Sequence, residues 1–311
     1  MSSAGANFLT SIDTMNQIRV IEEACAWASI SKGRATRYAA LLRELFQENK
    51  RSPEHLLAWH ESSDVTEMYE LWRTKTDLFP GLNDRICTAL RDGPVLSVEE
   101  NSSSTNKARN NAFNYLLAGR LLAAGLDLLA VDECKRASET ALWRGDITLN
   151  YQGTVFDIQC KRPYGRNSVI ENIKKALKQI TTTANPAQGI IAIDLSRCIY
   201  PTGTLLAASS SQEASDRVHN MVLEVLSPEV HRLLGKQQHV MGLVAFASIP
   251  VGVAHLSSVL RSDGMPYKNQ YLHSVGQLRI LINERSPFSE ISKSLYEHLD
   301  AWYRGYMSPI S

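Results

Sequence analysis

The segment spanning residues 145–163, GDITLNYQGTVFDIQCKRP, concentrates side chains that could act together in chemistry. Two strand-like runs flank Gln152-Gly153, a pair typical of a tight turn. Counting outward from that turn places Asp146 opposite Gln159. Because residues i and i+2 of a strand share a face, Gln159 and Lys161 project together. The sequence therefore predicts a carboxylate, an amide oxygen and an ammonium group at one end of a sheet.

This set of groups suits a hard cation and a phosphodiester. Mg²⁺ keeps several waters and prefers one or two carboxylates plus substrate phosphate, which Asp146 and the Gln159 oxygen could complement. An ammonium such as that of Lys161 can orient or deprotonate a water and can compensate negative charge on a phosphate. The alternative is a strand pair whose ends carry ordinary solvated polar residues.

A local basic stretch follows the hairpin. Between residues 161 and 178 the basic residues are Lys161, Arg162, Arg166, Lys174, Lys175 and Lys178, against the single acid Glu171. On a helix, Lys174 and Lys178 share a face opposite the apolar stripe. Contacts to a nucleic-acid backbone require such positive charge, so Arg162, Lys174 and Lys178 are candidate substrate-binding residues. By itself, a stripe of this kind is more often a solvated helix face.

The elements that must position these residues alternate between helix and strand. Helical spacing over about 106–125 precedes strand-like runs at 126–131, 146–151 and 154–161. A helix over about 168–183 and an apolar run at 189–195, typical of a strand buried on both faces, complete an α-β-β-β-α-β order. Further strands are predicted at 239–249 and 277–283, with helices over 212–236 and 289–306.

The first part of the chain follows a different pattern. Helical periodicity extends from residue 8 to about 95, and the Ser-rich stretch at 98–106 predicts a linker or long loop. We therefore expect a helical N-terminal region over 1–97 and one α/β domain over 106–311.

The motifs GD at one strand start and QCKRP at the end of the next, in this order of elements, resemble the PD-(D/E)xK nuclease superfamily. The resemblance covers roughly residues 106–195 and implies the restriction-endonuclease-like fold, an α/β core with a mixed sheet. It implies that Asp146 binds metal, that Gln159 stands where Asp or Glu is usual, and that Lys161 is the catalytic lysine. The implied activity is a Mg²⁺- or Mn²⁺-dependent DNA nuclease of restriction, repair or defence, with the Cys160 carbonyl as a further metal ligand.

Two positions depart from the family pattern. Gln159 removes one negative charge from the metal site, and Asn114 occupies the helix position where many members carry Glu. Asn114 could still supply an amide oxygen, and Asp157, two residues before Gln159 on the same strand face, could assist or neutralise Lys161. The resemblance also makes Gln179, on the helix after the motif, a candidate substrate contact.

Composition narrows the remaining function classes. The 311 residues are 44% hydrophobic and 21% charged with a formal net charge of +1, so no global field indicates nucleic acid or membrane. Five dispersed cysteines without a CxxC pair indicate a reducing compartment, and neither a signal segment nor an apolar run of about 18 residues is present. We expect a cytoplasmic protein without membrane association.

Two other functions remain open at this stage. One is a catalytically degenerate nuclease-like module that binds nucleic acid or a protein partner, as the Gln159 and Asn114 departures suggest. The other is an interaction protein whose N-terminal helices bind a protein partner or a second copy of the chain. Metal binding separates the nuclease from both.

Overall fold

The computed structural model describes residues 3–10, 14–50, 52–100, 107–141, 143, 145–182, 188–200, 206–253 and 272–307. The helices in these ranges are α1 (Thr14–Trp27), α2 (Arg34–Phe46), α3 (Pro53–Glu61), α4 (Ser63–Trp72), α5 (Leu82–Arg91), α6 (Lys107–Ala123), α7 (Val169–Thr182), α8 (Ser196–Ile199), α9 (Ser211–Val225), α10 (Pro228–Leu234) and α11 (Ser289–Met307). The strands are β1 (Ser3–Thr10), β2 (Asp127–Val131), β3 (Cys134–Lys135), β4 (Ile147–Tyr151), β5 (Thr154–Lys161), β6 (Gly189–Asp194), β7 (Leu206–Ala208), β8 (Val240–Val253) and β9 (Leu272–Ile282).

These strands form one mixed sheet in the order β1-β9-β8-β6-β5-β4-β2-β3, with β7 alongside β8. The strands β2, β4 and β5 are antiparallel, and the chain then crosses through α7 to β6, which runs parallel to β5. β8 continues parallel to β6, whereas β9 and β1 are antiparallel to their neighbours. The predicted α/β class with a mixed sheet is confirmed.

The hairpin between β4 and β5 turns at the predicted position. Gln152 and Gly153 both have positive φ, at 51° and 79°, which is the requirement of a two-residue turn matched to the strand twist. Tyr151 pairs with Thr154, and Ile147 pairs with Ile158. Extending this register by one residue sets Asp146 opposite Gln159, as the sequence predicts.

Both faces of the sheet are covered by apolar packing. Phe156, Ile158 and Cys160 of β5 join the core that α6 and the N-terminal helices share. On the opposite face, α7 packs Ile173 and Leu177 into a second core together with residues of β6 and β8. Asp157, Gln159 and Lys161 alternate with the first set and therefore belong to the α7 face of β5.

The N-terminal region is helical from Thr14 to Arg91, but it also contains a strand. β1 pairs with β9, so residues 8–10, predicted to be helical, lie at the edge of the sheet instead. Side chains of this region and of the sheet enter one continuous core. Of the predicted linker over 98–106, residues 101–106 fall outside the described ranges.

The helix predicted over 212–236 is divided into α9 and α10. Leu226 and Ser227 separate the two, and Pro228 opens α10 at a position where its missing N–H has no helical partner to lose. In the part of the chain that the structure describes, no helix has the length and apolar character needed to cross a bilayer.

Candidate active site

Asp146 and Lys161 meet at the end of β5. The Lys161 Nζ lies 3.6 Å from the Asp146 Oδ2, and the same oxygen accepts a hydrogen bond of 2.7 Å from the backbone N–H of Cys160. The Asp146 carbonyl accepts from the Asp132 N–H after β2, which holds the start of β4 against the neighbouring turn. Burial raises the pKa of Asp146, while the Lys161 charge opposes that shift. A carboxylate and an ammonium therefore share one half-buried position at the sheet end.

A second carboxylate lies beside them on the α7 face. Asp157 is 1% exposed, and its Oδ1 accepts a hydrogen bond of 2.6 Å from the Thr148 hydroxyl of the facing strand. Burial raises the pKa of Asp157 to about 6, and the nearby Asp146 charge acts in the same direction. Its Oδ2 is buried without a hydrogen-bond partner among the described residues. Asp157 thus has an unused acceptor close to the first carboxylate.

The glycine of the GD motif makes room for this second acid. A Cβ built on Gly145 would lie 2.5 Å from the Asp157 Cγ, which is closer than real Cβ contacts. The backbone that leads into Asp146 therefore passes directly over the Asp157 carboxyl group.

The other proposed metal ligands are more enclosed. Gln159 is 2% exposed on the same strand face as Asp157 and Lys161. The Cys160 carbonyl accepts a hydrogen bond of 2.9 Å from Lys161 Nζ, while the Cys160 thiol is buried in the α6-side core. Asn114 is buried on α6, and no hydrogen bond within the described ranges joins it to Asp146 or Lys161. The structure brings Asp146 together with Lys161 on one side and near Asp157 on the other, whereas nothing in the described residues joins Asn114 to them.

Arg162 points away from this group into a network of buried charges. Its Nη1 lies 2.6 Å from Glu100 Oε2, and its Nε lies 3.2 Å from Asp194 Oδ2. Its side chain is 8% exposed. A substrate phosphate would have to compete with these carboxylates for Arg162.

The helix α7 presents the predicted basic face to solvent. Lys174, Lys175, Lys178 and Gln179 are exposed, while Ile173 and Leu177 are buried on the opposite side. The stripe is therefore accessible to a polyanion along the helix that connects β5 to β6.

Sequence reasoning missed the acids and arginines that surround Arg162. Glu100 is 1% exposed and lies within ion-pair distance of Arg109, Arg162 and Arg197. Arg109 also binds Glu61 of α3 at 2.8 Å. The polar start of α6, which holds Lys107, Asn110 and Asn111 beside Arg109, gives no signal that Arg109 is buried. The partners are too far apart in the chain for spacing to join them.

The donors near Asp146 fit a divalent cation in chemical type. Asp146 offers a carboxylate, Gln159 an amide oxygen, and Asp157 a buried oxygen without a partner. A cation would also relieve the repulsion between the two acids. Among the described residues, however, no three His, Cys, Asp or Glu side chains converge as a metal-binding group. Two carboxylates are compatible in number with Mg²⁺, which in proteins keeps several waters and binds through one or two carboxylates plus substrate phosphate.

Comparison with known proteins returns no relative: no family model, no curated protein and no solved structure matches this chain. The fold and the candidate site define an α/β protein with a mixed sheet in which an aspartate and a lysine meet at one sheet end.

Proposed function

We propose that this chain is a metal-dependent nuclease that hydrolyses phosphodiester bonds in DNA, with a restriction-endonuclease-like core. The observation that carries the proposal is the meeting of Asp146 and Lys161, 3.6 Å apart, at the end of β5. Restriction, repair or defence are the settings that such an activity would serve.

The topology around the pair supports this assignment. α6 precedes an antiparallel meander of β2, β4 and β5, and α7 then leads to β6 parallel to β5. The short β3 hairpin is an addition to the α-β-β-β-α-β order. This arrangement agrees with the core of the PD-(D/E)xK superfamily, in which the acid and the lysine lie on adjacent strands.

The roles follow from the positions of the side chains. Asp146 and Gln159, with Asp157 as an additional acceptor and the Cys160 carbonyl beside them, would hold Mg²⁺ or Mn²⁺. Such an ion supplies charge stabilisation at phosphate and a lowered pKa for water. Lys161 would orient the attacking water and compensate the charge that develops on the phosphate oxygens. The exposed lysines of α7, Lys174 and Lys178, with Gln179, would contact the backbone of the nucleic acid.

A second candidate is a nuclease-like module that binds nucleic acid or a protein partner without cutting. The observation that favours it is that the proposed metal ligands already form hydrogen bonds within the protein. Lys161 donates to the Cys160 carbonyl, and the Asp146 carboxylate accepts from a backbone N–H. With Gln159 and Asn114 in place of acids, the metal affinity of such a site is reduced.

The deciding experiment is a cleavage assay on plasmid, linear and single-stranded DNA with Mg²⁺, Mn²⁺ or EDTA. We expect metal-dependent cutting by the wild-type chain and a loss of about 100-fold or more in Asp146→Asn and Lys161→Ala, the scale of a positioned acid–base group. Asp127→Asn is the matched control, because this exposed acid at the start of β2 contacts Arg136 and the Asn150 amide on the protein surface and neither residue is assigned to the site. It should cut at the wild-type rate.

Each other outcome has a definite meaning. DNA binding without cutting by the wild type would favour the degenerate module. Cutting that persists in both site variants would exclude Asp146 and Lys161 as the site. A chain that neither binds nor cuts DNA would contradict the nuclease and the DNA-binding form of the second candidate, and would leave the protein-binding form.

A further inference from the structure

A separate candidate binding site lies away from the Asp146–Lys161 pair. A cavity of about 140 Å³ opens between the N-terminal helices α2, α3 and α4 and the sheet, near the ends of β5 and β6. Asp146, Gln159 and Lys161 do not line it. An engineered cavity of roughly this size, about 150 Å³, holds a benzene molecule, so there is room for a small organic ligand. Ligands of open α/β sheets also bind at the carboxyl ends of parallel strands.

Most charged groups on the cavity wall already have partners. Arg109 pairs with Glu61, Arg162 pairs with Asp194, and Arg120 binds Glu67 outside the wall at 2.6 Å. The two charges within each pair neutralise each other, so these residues need no ligand to compensate their charge.

Unlike these residues, Arg34 and Asp64 form no ion pair within the part of the chain that the structure describes. Arg34 is 2% exposed; one of its terminal nitrogens donates to the Ala89 carbonyl, but its Nε is buried without a hydrogen-bond partner. Asp64, at the start of α4, has neither a hydrogen bond nor an ion pair among the described residues. Burial raises the pKa of Asp64 to about 6, although Arg109 and Arg120 oppose the shift. Two opposite charges thus line one cavity without an ion pair between them.

The remaining wall is largely apolar. Leu57, Phe113, Leu116, Phe246 and Leu278 line the cavity beside these two groups. The almost fully buried Arg34 keeps an Nε–H without a hydrogen-bond partner, and the partly buried Asp64 carboxylate accepts no hydrogen bond from the described residues. A ligand that offers an anion to Arg34 and a cation to Asp64 would satisfy both groups together.

We propose that this cavity binds a small zwitterion, an α-amino acid with an apolar side chain, whose carboxylate pairs with Arg34 and whose ammonium pairs with Asp64. The apolar side chain packs against Phe113, Leu116 and Phe246. A nucleobase could hydrogen-bond to the same two residues, but it carries no full charges and would leave both ions uncompensated. The proposal does not depend on nuclease activity, because none of the residues assigned to the metal site lines the cavity.

The test is calorimetric titration and thermal unfolding of the full chain with L-leucine, L-valine and L-phenylalanine. Isovalerate, which lacks the ammonium, isopentylamine, which lacks the carboxylate, and guanosine serve as comparison probes. We expect at least one amino acid to bind and to raise the Tm, since a ligand of the folded state stabilises it. Both single-charge analogues should bind at least about tenfold more weakly, because each loses one charge partner.

The variants assign the site. Asp64→Asn keeps the shape and should weaken binding of that amino acid at least about tenfold, as should Arg34→Gln if it folds. Asp77→Asn, which removes an exposed acid from the same helical region, and Asp146→Asn should both bind as the wild type does. The proposal is overturned if no amino acid binds, if guanosine binds instead, or if Asp64→Asn binds with unchanged affinity.

Discussion

Gly145 has no Cβ, and this absence leaves space for the Asp157 side chain. The Asp157 carboxyl group occupies the volume where a Cβ would lie, with the Cγ 2.5 Å from that position. Since the next residue is Asp146, any shift that relieves the contact moves the carboxylate that faces Lys161. The small residue therefore connects two acids of the candidate site.

We expect Gly145→Ala to reduce the free energy of unfolding by about 1–3 kcal/mol, the usual cost of adding atoms to a well-packed position. Urea denaturation measures that loss, and the cleavage assay measures its effect on the site. Gly165→Ala is the matched control, because nothing lies within 4 Å of its added Cβ and its φ of −167° is ordinary extended backbone. The double variant Gly145→Ala/Asp157→Ala should recover part of the lost stability. A Gly145→Ala chain as stable as the Gly165→Ala chain would contradict the close packing.

At the scale of single elements, local interactions made the hairpin predictable. The Gln152-Gly153 turn fixes the register of β4 and β5 within a few residues, so the position of Asp146 opposite Gln159 follows from counting. α7 was equally clear, because its apolar stripe and its lysines lie on opposite faces of one helix. The geometry of the β4–β5 hairpin and of α7 therefore follows from residues that are close together in the sequence.

Other elements depend on partners that are distant in the sequence. β1 forms a strand by pairing with β9. The paired residues, such as Ser3 and Leu281, lie more than 260 residues apart in the sequence. The two-residue β3 has too few residues to produce a pattern. The placement of Arg162 likewise depends on Glu100, which precedes it by 62 residues. Its sequence context predicted a substrate contact, whereas long-range pairing gives it buried carboxylate partners.

The element-scale prediction concerns the basic face of α7. Charge reversal in Lys174→Glu/Lys178→Glu should weaken DNA binding strongly at low salt and make the affinity less dependent on salt concentration, because fewer counterions are released. Fluorescence anisotropy at several NaCl concentrations measures both effects. Lys32→Glu/Lys75→Glu, in the N-terminal region, changes the net charge equally and should retain the wild-type salt slope. Equal effects of the two double variants would indicate general electrostatics rather than an α7 contact.

For the whole molecule, the buried charge network joins the two parts of the chain. Glu61 of α3 binds Arg109 of α6, which also binds Glu100, and Glu100 reaches Arg162 after β5 and Arg197 of α8. Of these elements, α3, α6 and β5 also contribute to one apolar core. The cavity with Arg34 and Asp64 lies in the same junction. We infer that the N-terminal helices and the sheet unfold together.

Glu100→Gln tests this inference, because it removes one charge while keeping the shape of the side chain. Loss of the charge leaves Arg109, Arg162 and Arg197 with fewer compensating carboxylates, and breaking such a buried pair costs about 3–5 kcal/mol. We expect a loss near that range in urea denaturation. Glu70→Gln, at an exposed pair with Arg73, should change the stability by less than about 1 kcal/mol. Far-UV circular dichroism and tryptophan fluorescence should report one coincident transition in every variant. The variants carry Trp143→Phe and Trp302→Phe, so that the remaining tryptophans all lie in the N-terminal helices. If Trp fluorescence in Glu100→Gln kept the wild-type midpoint while the dichroism midpoint fell, the helices would be stable without the sheet, and the network would not couple them.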